Sequence, residues 1–126
     1  MRILFIGFGG FVGAVLRYAI GGLAQRATPV AAFPFGTLIV NICGCFAIGV
    51  LAQLIEARGT LHPNARVFLT IGLIGGFTTF SAFANETLDG FRHGLAGVAI
   101  ANVVLSVGLG LVAVWAGRTA IAHVLR

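Results

Sequence analysis

The chain has 126 residues, of which 59% are hydrophobic and only 9% charged, and its mean hydropathy is +1.06. A soluble domain carries charge on about a quarter of its residues, so this chain cannot cover itself in water and lipid is its solvent. All eight basic residues are arginines, scattered singly for a net charge of +5, and no basic stripe exists to follow a phosphate backbone, which argues against nucleic acid as a partner.

Four apolar runs approach the roughly 20 residues that a bilayer core demands. They predict an all-α membrane protein, one domain over residues 1–126, with four transmembrane helices at about residues 3–24, 35–55, 66–88 and 95–117. Met1-Arg2-Ile3 resembles the start of a signal peptide. The apolar run continues well past Ala14 without a small-residue cleavage pattern, however, and is expected to stay as the first span. That run is rich in glycine, from Gly7, Gly9, Gly10 and Gly13 to Gly21 and Gly22, which favours close helix–helix approach. Arg17 interrupts it. It either snorkels to the interface or lines an aqueous vestibule and attracts anions.

A connection from Gln25 to Pro34, holding Arg26, Pro29 and Pro34, leads to the second run. There Thr37 and Asn41 stand inside an otherwise apolar span. An amide in lipid is costly unless hydrogen-bonded, so Asn41 is either a clasp between helices or a donor to a permeating ion. Cys43 and Cys45, two apart, lack the spacing and the histidine partners of a metal or redox site, and are expected to be small side chains at a helix contact. The loop from Glu56 to Asn64 is the most polar. His62 within it has no partner in sequence and is expected to be solvated.

The third run is unlike the others. Gly72 to Glu86 reads Gly-Leu-Ile-Gly-Gly-Phe-Thr-Thr-Phe-Ser-Ala-Phe-Ala-Asn-Glu. Paired glycines weaken a helix and neighbouring hydroxyls compete with its hydrogen-bond ladder, which predicts a break near the centre of the span. In hydrocarbon a break survives only where it is buried in protein or lines a wet cavity, so this stretch is the candidate functional site. Phe77, Phe80 and Phe83 recur every three residues and would share one face of a continuous helix. The fourth run carries Asn102 and Ser106 at i and i+4, again one face.

The acids are Glu56, Glu86 and Asp89 and the histidines His62, His93 and His123. None falls in a paired-carboxylate, metal-ligand or nucleophile–base pattern, so the chain does not read as an enzyme. Permeation fits better. Thr37, Asn41, Thr78, Thr79, Ser81, Asn102 and Ser106 are neutral donors, able to replace water around a small anion without trapping it. Phenyl ring edges, the positive part of the ring quadrupole, can assist at Phe80 and Phe83. Breaking the helix also frees carbonyls. Two subunits that bring together those of Gly75 and Thr78 would form a cage for a hard cation such as Na⁺.

Three pieces carry a family pattern: Gly10-Phe-Val-Gly13-Ala14-Val-Leu-Arg17-Tyr18, Gly36-Thr37-Leu38-Ile-Val40-Asn41-Ile-Cys-Gly44, and Gly75-Gly76-Phe77-Thr78-Thr79-Phe80-Ser81-Ala82-Phe83. In this order the chain resembles the Fluc/CrcB family of fluoride channels along nearly its whole length. The resemblance implies a dual-topology antiparallel homodimer in the bacterial inner membrane, with two antiparallel pores for passive fluoride export and a structural Na⁺ at the dimer centre. It implies that Phe80 and Phe83 are pore phenylalanines and Asn41 the pore amide. Thr79, Ser81 and Glu86 would form a polar track, Arg17 would sit at a vestibule, and the Gly75 and Thr78 carbonyls would hold Na⁺. Ala82 stands where many members carry threonine. Two rival readings are a small four-helix multidrug exporter, which calls for an acid deep in the membrane, and a non-transporting assembly subunit, which leaves the break in the third run unexplained.

Arginine placement agrees with dual topology. With four spans, one side holds Arg2, Arg58, Arg66, Arg118 and Arg126, and the other holds Arg26, Arg92 and, depending on its depth, Arg17. Five against two or three is a shallow bias for the rule that orients membrane proteins. Reporter fusions at the C-terminus are therefore expected to report from both sides of the membrane. Activity confined to the cytoplasm would sink dual insertion.

Overall fold

The computed structural model describes residues 1–28, 30, 32–59 and 61–125; the side chain of Arg58 is likewise left aside. The expectations for Pro29 in the first connection and for Arg126 as a terminal charge fall outside that set. The described residues are mostly helical, with no strand among them. Helix α1 spans Arg2–Ala27 and α2 Phe35–Arg58. The third span comprises α3 (Pro63–Val67), a wide π-helical stretch (Phe68–Ile74), the single turn α4 (Gly75–Phe77) and, past a break, α5 (Phe80–Arg92). The last helix, α6, covers Ala96–Val124. Four segments are long and apolar enough to cross a membrane: Arg2–Ala27, Phe35–Ala57, Pro63–Arg92 and Ala96–Val124. The first three contain the corresponding predicted runs and extend past them at one or both ends; the fourth begins one residue later than predicted, after Leu95, and runs further toward the C-terminus.

Glycine seams join these helices. On α1, Gly9 and Gly13 face Gly72 and Gly76 of the third span, a small-xxx-small pair on each side. A Cβ on Gly9 would stand 2.6 Å from the Phe68 carbonyl oxygen, and one on Gly76 would stand 2.7 Å from that of Gly10. A Cβ on Gly13 would collide with the Leu73 carbonyl. Helices α2 and α6 form a second seam, where Gly49 meets the Val114 backbone and Gly117 meets that of Phe46. Lipid gives helices no hydrophobic reason to associate, so close backbone packing has to supply the attraction.

Side-chain hydrogen bonds fasten the ends. Pro34, at the head of α2, offers no side-chain acceptor, and Gln25 of α1 substitutes for it. Its Oε1 accepts from the Gly36 N–H at 3.0 Å, and its Nε2 donates to the Phe33 carbonyl at 3.0 Å. Gly59 ends α2 in the left-handed region at φ 59°, which a glycine adopts without steric cost. His62, expected to be merely solvated, is exposed but accepts from the Asn64 N–H at 3.2 Å and caps α3, with Pro63 in the first helical position. Arg118 of α6 meets both carboxylate oxygens of Glu56 at 2.9 and 3.0 Å, an exposed tie to the end of α2.

Large apolar side chains remain exposed along the spans, Ile3, Phe80 and Trp115 among them. An aqueous surface does not tolerate so much; these side chains face lipid or another subunit. Cys45 lies in the α2–α6 contact, with its Sγ 3.5 Å from where a Gly110 Cβ would be. Cys43 is exposed, which corrects the expectation that both cysteines sit at a helix contact.

The seam between α1 and the third span predicts a position-specific response. Gly13→Ala should destabilise the protein by about 1–3 kcal/mol through overpacking, whereas Gly97→Ala, whose added Cβ meets nothing within 4 Å, should be near neutral. Melting midpoints in detergent compare the two; equal midpoints would remove the seam from the account of stability.

Candidate functional site

The break falls at Thr78 and Thr79, two residues later than the glycine pair. Gly75 and Gly76 stay helical, so Gly76 serves close packing against α1 and does not interrupt the ladder. Thr78 (φ −81°, ψ 159°) and Thr79 (φ −151°, ψ 115°) are extended. Phe77 therefore belongs to the helical half before the break and does not share a face with Phe80 and Phe83, as a continuous helix would have required.

Asn41 holds the break open. Its Nδ2 donates to the Thr79 carbonyl at 3.0 Å and its Oδ1 accepts from the Thr79 N–H at 2.8 Å. One side-chain amide thus pairs with both backbone groups of one residue, in place of helical partners that Thr79 no longer has. Asn41 is the clasp, and its primary amide keeps a second N–H that this pairing does not use. On the other side of the break the Thr79 hydroxyl accepts from the Ala82 N–H at 3.2 Å and caps α5, while sharing a hydrogen bond with the Ser81 hydroxyl at 3.2 Å.

These substitutions release two carbonyls. In an unbroken helix the Gly75 carbonyl would receive the Thr79 N–H and the Thr78 carbonyl that of Ala82. Both N–H groups are diverted, to Asn41 and to the Thr79 hydroxyl. The Arg17 guanidinium takes one lone pair of the freed Thr78 oxygen, at 3.4 Å. Arg17 therefore reaches inward to the break instead of snorkelling outward.

Arg17, Thr37, Thr79, Ser81 and Glu86 line one open cavity of about 580 Å³ between α1, α2 and α5. Thr37 donates to Glu86 Oε1 at 2.6 Å, and Glu86 Oε2 is buried without a protein partner. Gln25 and Tyr18 line the same cavity, and the sequence reading gave neither a role there. The signal was available: Arg17, Gly21 and Gln25 repeat every four residues and share one face of α1. A second opening, about 400 Å³, runs along the other side of the break past Asn41, Gly75, Thr78 and Phe80. The Phe80 and Phe83 rings stand 5.5 Å apart at 49°, and Phe80 is 79% exposed.

Asn102 and Ser106 are placed differently. They do share a helical face, with the Ser106 hydroxyl donating to Asn102 Oδ1 at 3.3 Å. Asn102, only 1% exposed, donates its Nδ2 to the Thr87 hydroxyl at 2.9 Å, and neither residue lines the cavity that holds Arg17. A helical face alone cannot say which neighbour that face meets.

Four apolar spans, one of them broken at a polar stretch with a cavity on either side, define a multi-pass membrane protein. The family is equally definite. The family model for the CrcB-like protein, Camphor Resistance (CrcB), matches residues 4–118, and the chain belongs to this family. It is 45% identical to the fluoride-specific ion channel FluC of Methylobacillus flagellatus over 116 residues, 92% of this chain and 91% of that protein. It is 48% identical to the FluC of Rhizobium meliloti over 92% of both chains, and 44% identical to that of Solibacter usitatus over 93% of this chain and 95% of the other.

The Asn41 clasp generates a direct expectation. Asn41→Leu leaves the Thr79 N–H and carbonyl unpaired in a low-dielectric setting, at a cost of about 1–3 kcal/mol for each group. The melting midpoint should fall and hydrogen exchange should quicken around the break. An unchanged midpoint with Thr79 still protected would show that another group closes the break.

Proposed function

We propose that this chain is a fluoride-selective channel of the bacterial inner membrane, releasing cytoplasmic fluoride passively down its gradient. The observation that carries this reading is the Asn41-held break in the third span, flanked by neutral donors and phenyl rings. Full-length similarity to proteins named fluoride-specific ion channels supplies the identity of the ion. Permeation requires a site that strips water from the ion and yet lets it leave. Hydroxyls of Thr37, Thr79 and Ser81, the spare N–H of Asn41 and the ring edges of Phe80 and Phe83 meet that requirement, because each is a weak partner for an anion. Arg17 draws anions into the vestibule, and Glu86, tied to Thr37, borders the track. Asn102 and Ser106 support the track from behind.

The functional unit in this proposal is an antiparallel homodimer with two pores. The exposed Phe80 and the opening beside it are the parts a second subunit would complete. A structural Na⁺ fits the freed carbonyls of Gly75 and Thr78, since hard cations take uncharged oxygens. Two carbonyls per chain fall short of a full shell, so a cation there would draw on two chains. It would supply positive charge beside the pore without an ionised side chain.

The test is efflux from liposomes, read by fluoride and chloride electrodes in parallel. Rapid fluoride release with little chloride is expected. Phe80→Ile and Phe83→Ile should each abolish that release while the protein still elutes as a dimer. Replacing Na⁺ by a large organic cation throughout purification should weaken both dimer and flux. A folded dimer that passes neither anion would sink the channel reading. Loss of assembly in the phenylalanine variants would favour the packing-subunit alternative.

A further inference from the structure

Beyond the break, α5 has lost helical continuity with the rest of the third span, and it packs chiefly on α6. Something has to fix its rotation about its own axis, because that rotation aims Phe80 and Phe83. The structure contains a directed chain of hydrogen bonds suited to this. Ser106 donates to Asn102 at 3.3 Å, Asn102 donates to the Thr87 hydroxyl at 2.9 Å, and Thr87 donates to the Phe83 carbonyl at 2.7 Å. The direction is forced. Thr87 has one hydroxyl hydrogen, which Phe83 takes, so the group facing Thr87 from α6 must be a donor. An amide nitrogen satisfies it; an aliphatic side chain in its place would leave the hydroxyl oxygen without that donor.

Position strengthens the case. At about 100° per residue, Thr87 falls between Phe80 and Phe83 in azimuth around α5. Asn102 is the one polar side chain in the fully buried set among the described residues, and Ala99, one turn earlier on α6, presses on Gly90 of α5. We infer that Asn102 and Thr87 are positioning residues for permeation: through the Phe83 turn they set the rotation of α5 and thereby the aim of both phenyl rings. The inference rests on the channel reading, and touches no residue assigned to the ion itself apart from Phe83, through its backbone, and Asn102, which it moves from the pore wall to this clasp.

The experiment uses the full chain in liposomes, with a fluorinated phenylalanine at position 83 alone for ¹⁹F NMR beside the efflux assay. Thr87→Val keeps the shape and removes the hydroxyl; Thr87→Ser keeps the hydroxyl; Asn102→Leu keeps the approximate size and removes the donor. Fluoride efflux per folded dimer should fall about threefold to tenfold in Thr87→Val and Asn102→Leu, the range one interhelical hydrogen bond in a membrane is worth. The ¹⁹F resonance should shift or broaden in both. Thr87→Ser should recover efflux and resonance together, and the double variant Thr87→Val with Asn102→Leu should be no worse than its weaker parent. Efflux per folded dimer and resonance both unchanged in Thr87→Val and Asn102→Leu would overturn the assignment, as would a loss of efflux with the resonance unmoved. If the unsubstituted protein passes no fluoride, the channel reading fails separately and the resonance alone decides: displacement supports positioning, and constancy refutes it.

Discussion

Hydrocarbon offers no hydrogen bonds, and that constraint governs everything else in this protein. Each backbone N–H and C=O within the bilayer must find a partner in the protein, so a helix cannot simply stop in mid-membrane. The third span does stop, at Thr78 and Thr79, because one amide on the preceding span, α2, matches the exposed N–H and carbonyl of Thr79 atom for atom. The Thr79 hydroxyl then restarts the helix by taking the Ala82 N–H. What the two substitutions release, the Gly75 and Thr78 carbonyls, is the polar material that a membrane interior otherwise lacks.

Close packing and cavity lining are divided between different residues in the same short stretch. Gly72 and Gly76 bring the third span against α1 at backbone distance, and Gly44 makes room on α2 for the Thr78 side chain. These contacts are van der Waals in nature and demand only smallness. Thr79, Ser81 and Glu86 lie on the part of the span that has left that seam, and they face an open cavity instead. The break is thus also a change of surroundings, from packing before it to cavity lining after it. The price is that α5 depends on side-chain ties, to Thr37, Asn41 and Asn102, for the placement that a continuous helix would have given it.

Much of this was legible in the sequence, for identifiable reasons. Hydropathy and length mark the four spans because the thickness of a bilayer is fixed. The cluster of glycines, threonines and phenylalanines marks the third span as the special one, since no lipid anchor needs it. The break falls inside the expected stretch, at its threonines: glycine lowers helix propensity but does not forbid a helix, and tight packing on α1 keeps Gly75 and Gly76 helical. The π-helical stretch before it carried no sequence signal. Gln25 was passed over as a loop residue although it lies on the Arg17 face of α1.

The sequence by itself determined the solvent, the number of spans, the family and the short list of polar groups able to meet an ion, because these follow from side-chain chemistry and from order along the chain. Which of those groups stand together was decided only by tertiary structure. Asn41 could have pointed at an ion or at a helix, Arg17 outward or inward, and Asn102 at a pore or at Thr87; each is the same residue in the same helical register either way. The choice is made by the neighbouring helix that each side chain meets, and that depends on packing between spans 38 or 61 residues apart, a distance over which local sequence exerts no direct constraint.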